Sequence, residues 1–421
     1  MKRRMRNASR EVFRSMEVRN FRLFFGGQLI SQIGNWLTFV AQALLVLHLT
    51  HDNGVAVGLL TACQFLPVLV LGAWAGLVAD RGDKRHLLLI VQSFAMLQSF
   101  ALATMIFTGH ASIPVIFVLA ALGGVGNAFD NPTRRAFVVE MVPEANVQNA
   151  VSLNSALMTG SRIFGPALAG LLVVTVGYGW CFAIDGISYL AVLYGLWRVN
   201  PGELRTSPPA SHAKGQVRAG VRYARSVPEL WVPLTMMALV GTFAFNFSVV
   251  MPLFAKRTLH GSDTTFTILL SVVSVGSLVG ALLSARRKTA SIRDVVVGSL
   301  MFGVSLLLLS GSPTLATSFP LAVFMGLASI IFMTSSTAIV QMRAAPEMRG
   351  RVLALQSIVF LGSTPIGGPV LGAVCQAFGA RMGFVLGGVA CLAAAAWGWW
   401  AAMRPSREIE QTVVPSIHAT V

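Results

Sequence analysis

Long apolar runs dominate this 421-residue sequence. A helix needs about 20 predominantly apolar residues to cross the hydrocarbon core of a bilayer, and twelve runs have roughly that length. Only 11% of the residues are charged, against roughly 25% in soluble globular proteins. We therefore predict an all-α membrane protein with twelve transmembrane helices. The expected spans are residues 23–48, 56–79, 87–108, 112–132, 150–176, 179–198, 230–255, 264–285, 294–311, 316–341, 352–377 and 380–403.

The longest polar insert separates these spans into two sets of six. It covers residues 199–229 and contains Ser207-Pro208-Pro209 together with several basic residues, a composition typical of a linker. The sequence therefore predicts two six-helix bundles joined by this linker. The first bundle covers residues 23–198 and the second covers 230–403, with terminal tails at 1–22 and 404–421.

The net charge of +16 is carried by short basic runs between the spans. With the N-terminus placed inside, 28 of the 32 Lys and Arg residues fall on the cytoplasmic side, as the positive-inside rule requires. We expect a multi-pass protein of the bacterial plasma (inner) membrane, in contact with membrane lipids, with both termini in the cytoplasm. This distribution argues against nucleic acid as a partner.

An internal repeat relates the two sets of spans. A shift of 203 residues aligns Gly165-Pro166 with Gly368-Pro369, and it also aligns Gly123 with Gly326. Glycine and proline at matched helical positions indicate close backbone approach or a bend, although chance matching in a glycine-rich sequence is an alternative. Two halves of like orientation form a parallel repeat, which places a substrate site between them near the bilayer midplane.

The loop after the second span carries a signature. It reads Gly76-Leu-Val-Ala-Asp80-Arg81-Gly82-Asp83-Lys84-Arg85 and resembles the signature loop of the major facilitator superfamily, with Asp83 in place of the usual second glycine. The fifth span is similar to the antiporter motif of that superfamily. We expect the helix-bend positions to be Gly165, Pro166, Gly170, Gly368 and Pro369. Within the superfamily, the chain resembles the branch of enterobactin exporters and macrolide efflux proteins.

This resemblance implies the major facilitator fold and a conformational latch at the signature loop. It implies that Asp80 faces the start of the eleventh helix near residues 350–352, where the helix dipole favours an anion. It further implies that Lys84 pairs with Asp130. Alternatively, the basic residues of the loop only anchor the cytoplasmic face. The expected latch residues are Gly76, Asp80, Arg81, Lys84, Arg85 and Asp130.

Two charged residues fall inside spans, where a charge costs at least about 2.5–3.5 kcal/mol on insertion scales. Asp185 lies ~9 Å below the outer surface and Arg162 ~21 Å below it, at 1.5 Å per residue. Asp185 is a candidate for carrying a coupled proton, or else a structural acid bonded to neighbouring helices. Arg162 is a candidate for attracting an anionic substrate, or else for binding backbone carbonyls.

Amide side chains cluster on the first span. Gln28, Gln32 and Asn35 share one helix face, and Asn246 on the seventh span is a possible counterpart in the second half. A face of amides is unsuited to lipid, so we expect these residues to line a central cavity. Hydrogen bonds between helices are the alternative.

Motifs for other functions are missing from the sequence. The histidines and the four cysteines show no metal-binding spacing, and we find no nucleophile motif or phosphate-binding loop. We therefore predict a secondary active transporter, not an enzyme, without cofactor, metal or obligate protein partner. It would export an amphipathic small molecule (a drug, siderophore or other secondary metabolite) in exchange for protons by alternating access. Uptake by proton symport is the alternative, and a membrane-embedded enzyme or scaffold is a remote one.

Overall fold

A computed structural model describes residues 13–205, 216–285 and 289–403 of the chain. Within these ranges the chain is helical, and twelve helices follow one another as the apolar runs predict. The first six are α1 (Arg19–Leu49), α2 (Gly54–Arg81), α3 (Lys84–Phe107), α4 (Ile113–Glu140), α5 (Val147–Thr175) and α6 (Tyr178–Arg198). The last five are α8 (Asp263–Ala285), α9 (Ile292–Ser310), α10 (Leu315–Arg343), α11 (Pro346–Phe378) and α12 (Ala380–Met403).

The seventh span, α7, is interrupted. It covers Pro228–Thr258 and consists of the segments Pro228–Phe243 and Phe247–Leu253, followed by a π-helical turn at Phe254–Thr258. Asn246 lies at the interruption, where its Nδ2 donates to the carbonyl of Thr242 at 2.8 Å. A side-chain amide thus satisfies a carbonyl oxygen where the helical ladder is broken, as an apolar environment requires.

Length and composition make the helices suitable for a membrane. Eleven of the helices in the described ranges are long and apolar enough to cross a bilayer. The remaining one, α5, has 29 residues and an apolar segment at Phe164–Thr175. Many large apolar side chains, such as Val70, Ile90 and Trp197, are exposed on the outside of the bundle. In water such a surface would be unfavourable, whereas lipid tails accommodate it.

The helix ends define two faces of the molecule. We call the end with the turn Arg14–Glu17, the loop at Gly82 and the linker helix Gln216–Ser226 the terminus face. The opposite end, with the loops at Asp52, Gly177 and Gly379, is the far face. Consecutive helices cross the molecule in opposite directions, so α1 runs from the terminus face to the far face and α2 runs back.

The two halves meet through α2 and α11 at the far face. A Cβ added to Gly58 would lie 2.5 Å from the carbonyl oxygen of Gly368, and one added to Gly54 would lie 2.7 Å from that of Gly372. Only glycine allows the two backbones to approach so closely. Beside them, Gly170 of α5 packs against Thr267 of α8, so a second pair of helices also crosses between the halves.

The same helix faces are not in contact toward the terminus face. Gly72 and Gly76 lie about five helical turns beyond Gly54 and Gly58, on the same face of α2. Apart from the helix's own backbone, no atom of the described residues comes within 4 Å of a Cβ added at either position, nor at Gly350, which lies about five turns from Gly368 on α11. The halves are therefore joined at the far face and separate toward the terminus face.

The fourth helix differs from the prediction. It continues to Glu140, past the predicted end at residue 132. Pro132 does not end the helix, because a proline can be tolerated where neighbouring helices satisfy the freed backbone group. As a consequence Arg134 lies inside the helix and is buried, although its position after the predicted span placed it among the basic residues of a loop.

Candidate functional site

The carboxylate of Asp185 is fully buried between three helices of the first half. The hydroxyl of Thr38 on α1 donates to its Oδ2 at 2.6 Å, and the hydroxyl of Ser99 on α3 donates to the same oxygen at 2.7 Å. Asp185 itself is on α6. Three helices therefore converge on one acid, well inside the bundle.

A glycine on α1 makes room for this acid. A Cβ at Gly34 would lie 2.5 Å from Asp185 Oδ1 and would also collide with the hydroxyl of Ser188. Ser188 donates to the backbone carbonyl of Asp185 at 2.7 Å, one turn along α6. The packing of α1 against α6 thus depends on Gly34, and the acid and two hydroxyls occupy the contact between the helices.

No basic side chain of the described residues lies within ion-pair distance of Asp185. The side chain of Arg162 lies outside the described residues, although its backbone belongs to α5. Hydroxyl groups can donate to a carboxylate or accept from a carboxylic acid. The surroundings of Asp185 therefore suit both its charged and its neutral form, which is what a site that binds and releases a proton needs.

The amides of α1 face the interior of the first half. Gln28 is 1% exposed, and Gln32 Nε2 donates to its Oε1 at 3.2 Å. Asn35 Oδ1 accepts from the hydroxyl of Tyr189 on α6 at 3.2 Å. That these amides line a cavity stays a prediction: in this conformation Gln28 and Gln32 are buried, whereas Asn35 is partly exposed. Gln28 also accepts from Arg134 of α4, so two of the amides bond to neighbouring helices, and nearby Leu29 and Ile30 of α1 are exposed.

Asn246, the amide expected in the second half, is also buried, at 2% exposed. Its side chain bonds to carbonyls of its own interrupted helix. It therefore serves the backbone of α7 in this conformation and does not face an open cavity.

A buried ion pair lies near the terminus face of the first half. Arg134 and Asp130 are one turn apart on α4 and pair at 3.0 Å. Gln92 of α3 donates to the other Asp130 oxygen at 2.6 Å, and Arg134 reaches Gln28 Oε1 at 3.4 Å. This cluster joins α1, α3 and α4. The four-residue spacing of Asp130 and Arg134 was the sequence signal for it.

The predicted pairing of Lys84 with Asp130 is not formed in this conformation. Lys84 pairs instead with Glu140 at the end of α4, at 2.7 Å, and both side chains are nearly buried. Lys84 starts α3 and Glu140 ends α4, so both lie at the terminus face. Asp130 lies almost three turns deeper along α4, where its partner is Arg134.

Arg85 and Asp83 of the signature loop also form contacts within the first half. Arg85 donates to the carbonyls of Leu196 and Trp197 at 2.8 and 2.9 Å, where α6 ends. Asp83 caps α3 by accepting from the backbone N–H of His86 at 3.0 Å. Although partial burial raises it, the pKa of Asp83 is lowered overall by its hydrogen bonds to His86 and the charge of that ring. Asp83, which stands where the signature usually has its second glycine, therefore caps α3.

The glycine–proline positions lie at helix contacts. Gly165 packs on the ring of Trp36 within the first half, whereas Gly170 and Gly368 contact the opposite half. Pro166 and Pro369 lie inside α5 and α11, which continue through them. The matched motif thus marks close contacts of the two helices that join the halves.

Buried amide atoms in the first half remain without a hydrogen-bond partner. Among the described residues of α1 and α3, they are Gln28 Nε2, Gln42 Nε2 and Gln92 Oε1. Each belongs to a side chain that is already engaged in a polar contact through its other atom or a neighbouring network. Buried polar groups are normally satisfied, so these amides offer hydrogen-bonding capacity along the same helices that hold Asp185.

Comparison of the sequence with known proteins identifies a family and several relatives. A family model described as transmembrane secretion effector matches residues 12–420. The staphyloferrin A transporter of Staphylococcus aureus is 25% identical over 378 residues, which cover 88% of this chain and 93% of that protein. Macrolide efflux protein A of Streptococcus pyogenes is 23% identical, with 89% and 94% covered. The multidrug efflux pump Tap of Mycobacterium tuberculosis is 26% identical, with 85% and 87% covered.

Solved structures share the fold. A bacterial homolog of the human lysosomal transporter Spinster, in an inward-facing and unoccupied conformation, superposes with a TM-score of 0.73 at 15% identity, covering 91% of this chain and 97% of that one. A D-xylose-proton symporter gives a TM-score of 0.72 at 14% identity, with the same coverage. The predicted major facilitator fold is confirmed, and the matched family and relatives are transporters, not enzymes.

Replacement of Arg134 by Met should destabilise the protein, because it leaves the Asp130 carboxylate buried without its ion-pair partner. Breaking a buried pair in this way costs about 3–5 kcal/mol. The adjacent Arg135 is exposed and provides a matched control. We expect Arg134→Met to lower the midpoint of thermal unfolding in detergent and Arg135→Met to change it little. Equal midpoints for the two variants would contradict a structural role for the pair.

Proposed function

Since the chain belongs to the transmembrane secretion effector family of the major facilitator superfamily, we propose that it exports an amphipathic small molecule in exchange for protons. Export would proceed by alternating access, with the two halves rocking around a central site. The cargo class proposed is a drug, a siderophore or another secondary metabolite. The relatives named for staphyloferrin A, macrolide efflux and multidrug efflux support this class.

The observation that carries proton coupling is the setting of Asp185. Its carboxyl group is fully buried, contacts hydroxyl groups of α1 and α3, and has no cation within ion-pair distance among the described residues. A buried charge without a cation costs several kcal/mol. Gain or loss of a proton at this position would therefore change the relative free energies of two conformations of the first half.

Coupling to movement follows from the contact at Gly34. Because α1 and α6 touch at the acid itself, a change in the hydrogen bonds around Asp185 acts directly on the packing of these helices. As the acid takes up a proton, its single O–H would donate to one of the hydroxyls of Thr38 and Ser99, and that hydroxyl would change from donor to acceptor. Farther along α1, Gln28 accepts from Gln32 and from Arg134 of the Asp130–Arg134 pair, so the same helix also contacts that pair.

We propose that the terminus face is cytoplasmic. The loops and helix ends at this face carry most of the Lys and Arg residues, as expected from the positive-inside rule. The conformation described here would then be open to the cytoplasm and closed to the outside. An exporter binds its cargo in this conformation.

We further propose that Asp80 belongs to a latch that forms in the opposite conformation. The antiparallel pairing of Gly54 with Gly372 and of Gly58 with Gly368 extends along α2 to place Asp80 beside the first turn of α11 once the halves approach. The N-terminal end of that helix favours an anion. Lys84 and Arg85 would support the latch indirectly, by fastening the start of α3 to α4 and α6.

Transport in inverted membrane vesicles with an imposed proton gradient tests the proposed function. For a panel of dyes, antibiotics and siderophores, we expect at least one compound to accumulate inside the vesicles when the gradient is present. A protonophore should abolish the accumulation. Equal movement with and without the gradient would contradict proton coupling, and accumulation only in right-side-out vesicles would favour uptake by symport.

In the same assay, Asp185→Asn should abolish gradient-driven accumulation, because the amide cannot exchange a proton in this pH range. Exchange of labelled for unlabelled cargo without a gradient should persist. Ser99→Ala is the matched control, since it removes one hydrogen bond but keeps the carboxyl group. Unchanged gradient-driven transport by Asp185→Asn would exclude this residue as the proton carrier.

The latch is tested with a pair of acidic residues from one loop. Asp80→Asn should reduce transport while the amount of protein in the membrane stays the same, because the outward-open conformation loses a stabilising contact. Asp83→Asn, which alters only the cap of α3, should reduce transport less. Normal turnover by Asp80→Asn would show that no latch depends on this carboxylate.

A further inference from the structure

The far face carries a cluster of charged and polar side chains that the sequence patterns did not indicate. Lys256 Nζ lies 3.2 Å from Asp52 Oδ1 and 3.0 Å from Asp263 Oδ1. The hydroxyl of Tyr178 donates to Asp263 Oδ2 at 2.7 Å. We call these four residues, Asp52, Tyr178, Lys256 and Asp263, the far-face clamp.

The clamp crosses between the two halves twice. Asp52 follows α1 and Tyr178 begins α6, so both belong to the first half. Lys256 ends α7 and Asp263 begins α8, so both belong to the second. Lys256–Asp52 and Tyr178–Asp263 are therefore contacts between halves, and Lys256–Asp263 connects them within the second half.

The local backbone positions each member of the clamp. Lys256 lies in the π-helical turn Phe254–Thr258, a form that is rare and often found at functional sites. His51 and Asp52 both have positive φ, at 53° and 62°, a region that residues other than glycine seldom adopt. Asp263 lies in the first turn of α8, where the helix dipole favours a carboxylate.

Partial burial makes these contacts stronger than ordinary surface ion pairs. The side chains of Lys256, Asp263 and Asp52 are 17%, 19% and 32% exposed. Charges that are partly withdrawn from solvent are screened less by salt than fully exposed ones. Close by, the backbone N–H of Gly54 donates to the side chain of Gln376 on α11 at 2.9 Å, so a further polar contact crosses at the same face.

We infer that the far-face clamp is the gate that keeps the far face closed while the halves are apart at the terminus face. Both contacts between halves must break before the far face can open, since rigid movement of one half carries Asp52 and Tyr178 away from Lys256 and Asp263. The clamp thereby sets the ratio of the two conformations. This inference concerns the equilibrium between conformations and holds whatever the cargo or the coupled ion.

Loss of the Lys256 charge should favour the opposite conformation for two reasons. It removes the contact with Asp52, and it leaves Asp52 and Asp263 near one another without the cation that separates them. Like charges repel, and this repulsion is relieved when the halves move apart. Loss of the Tyr178 hydroxyl removes only one contact and should act in the same direction more weakly.

The rate at which a buried cysteine is alkylated reports the population of the opposite conformation. Thr61 on α2 is 2% exposed and packs against Gly368, so it is sealed between the halves in the present conformation. Thr61→Cys is introduced into a chain whose four native cysteines are replaced, and the purified protein in detergent is treated with a small charged thiol reagent. The reagent reaches both faces in detergent, so the result does not depend on membrane orientation.

We expect Lys256→Met to increase the alkylation rate about five- to tenfold, within the usual range of coupling between conformations. Tyr178→Phe should increase it by a smaller factor. Arg257→Met is the matched control, because Arg257 is adjacent and basic but forms no ion pair with a described residue, and it should leave the rate unchanged.

An unchanged rate in Lys256→Met would overturn the inference. Equal acceleration by Lys256→Met and Arg257→Met would also overturn it, because a general effect of charge would then explain the result. If Lys256→Met does not elute as a folded, monodisperse protein, Tyr178→Phe decides alone, since it removes a single oxygen atom. Failure of proton-driven transport in vesicles would leave these rates unaffected and would count only against the proposed function.

Discussion

The close approach of α2 and α11 at the far face is the contact on which the rest of the structure depends. Two glycines on each helix allow backbone to meet backbone there, and the equivalent glycines about five turns away are not in contact. One pair of helices therefore contains both the closed and the open end of the molecule. In lipid, where helices gain little from hydrophobic burial, such van der Waals contact between small residues is a main source of helix association.

The halves share a fold but differ in their buried charges. In the described part of the chain, the buried acidic and basic side chains all lie in the first half: Asp130, Arg134, Glu140 and Asp185. Three of these four have an oppositely charged partner, and Asp185 has hydroxyl groups instead. The first half therefore contains the buried ionisable groups on which the proposed coupling depends, whereas the second half packs against the first through glycines, hydroxyl groups and the far-face clamp.

The positions of the helices could be predicted well from the sequence, because the length of an apolar run is set by bilayer thickness and needs no knowledge of neighbours. The partners of individual side chains could not. Lys84 pairs with Glu140 because α4 continues through Pro132. Since proline usually interrupts a helix, the sequence predicts that α4 ends at residue 132. Gln28 and Asn35 were correctly placed on one face of α1, but periodicity does not tell which neighbour that face contacts.

The clamp at the far face shows a different limit of prediction. Its four residues come from three loop or helix-end positions that are far apart in the chain, and none belongs to a recognisable motif. Only the arrangement of the two halves brings them together. By contrast, Asp185 was identifiable as an acid inside a span, although the hydroxyl groups of Thr38 and Ser99 that surround it were not.

We propose that a proton on Asp185 is coupled to a rocking movement of the two halves. Distances between spin labels on opposite halves test it most directly, with His110 and Ala316 replaced by labelled cysteines for the far face and Val139 and Met342 for the terminus face. In Asp185→Asn, which mimics the neutral acid, we predict that the two populations shift relative to the unmutated acid. The mean distance between the labels at one face should lengthen, while the mean distance between the labels at the other face shortens. A single distribution at each face, the same in both proteins, would contradict the account.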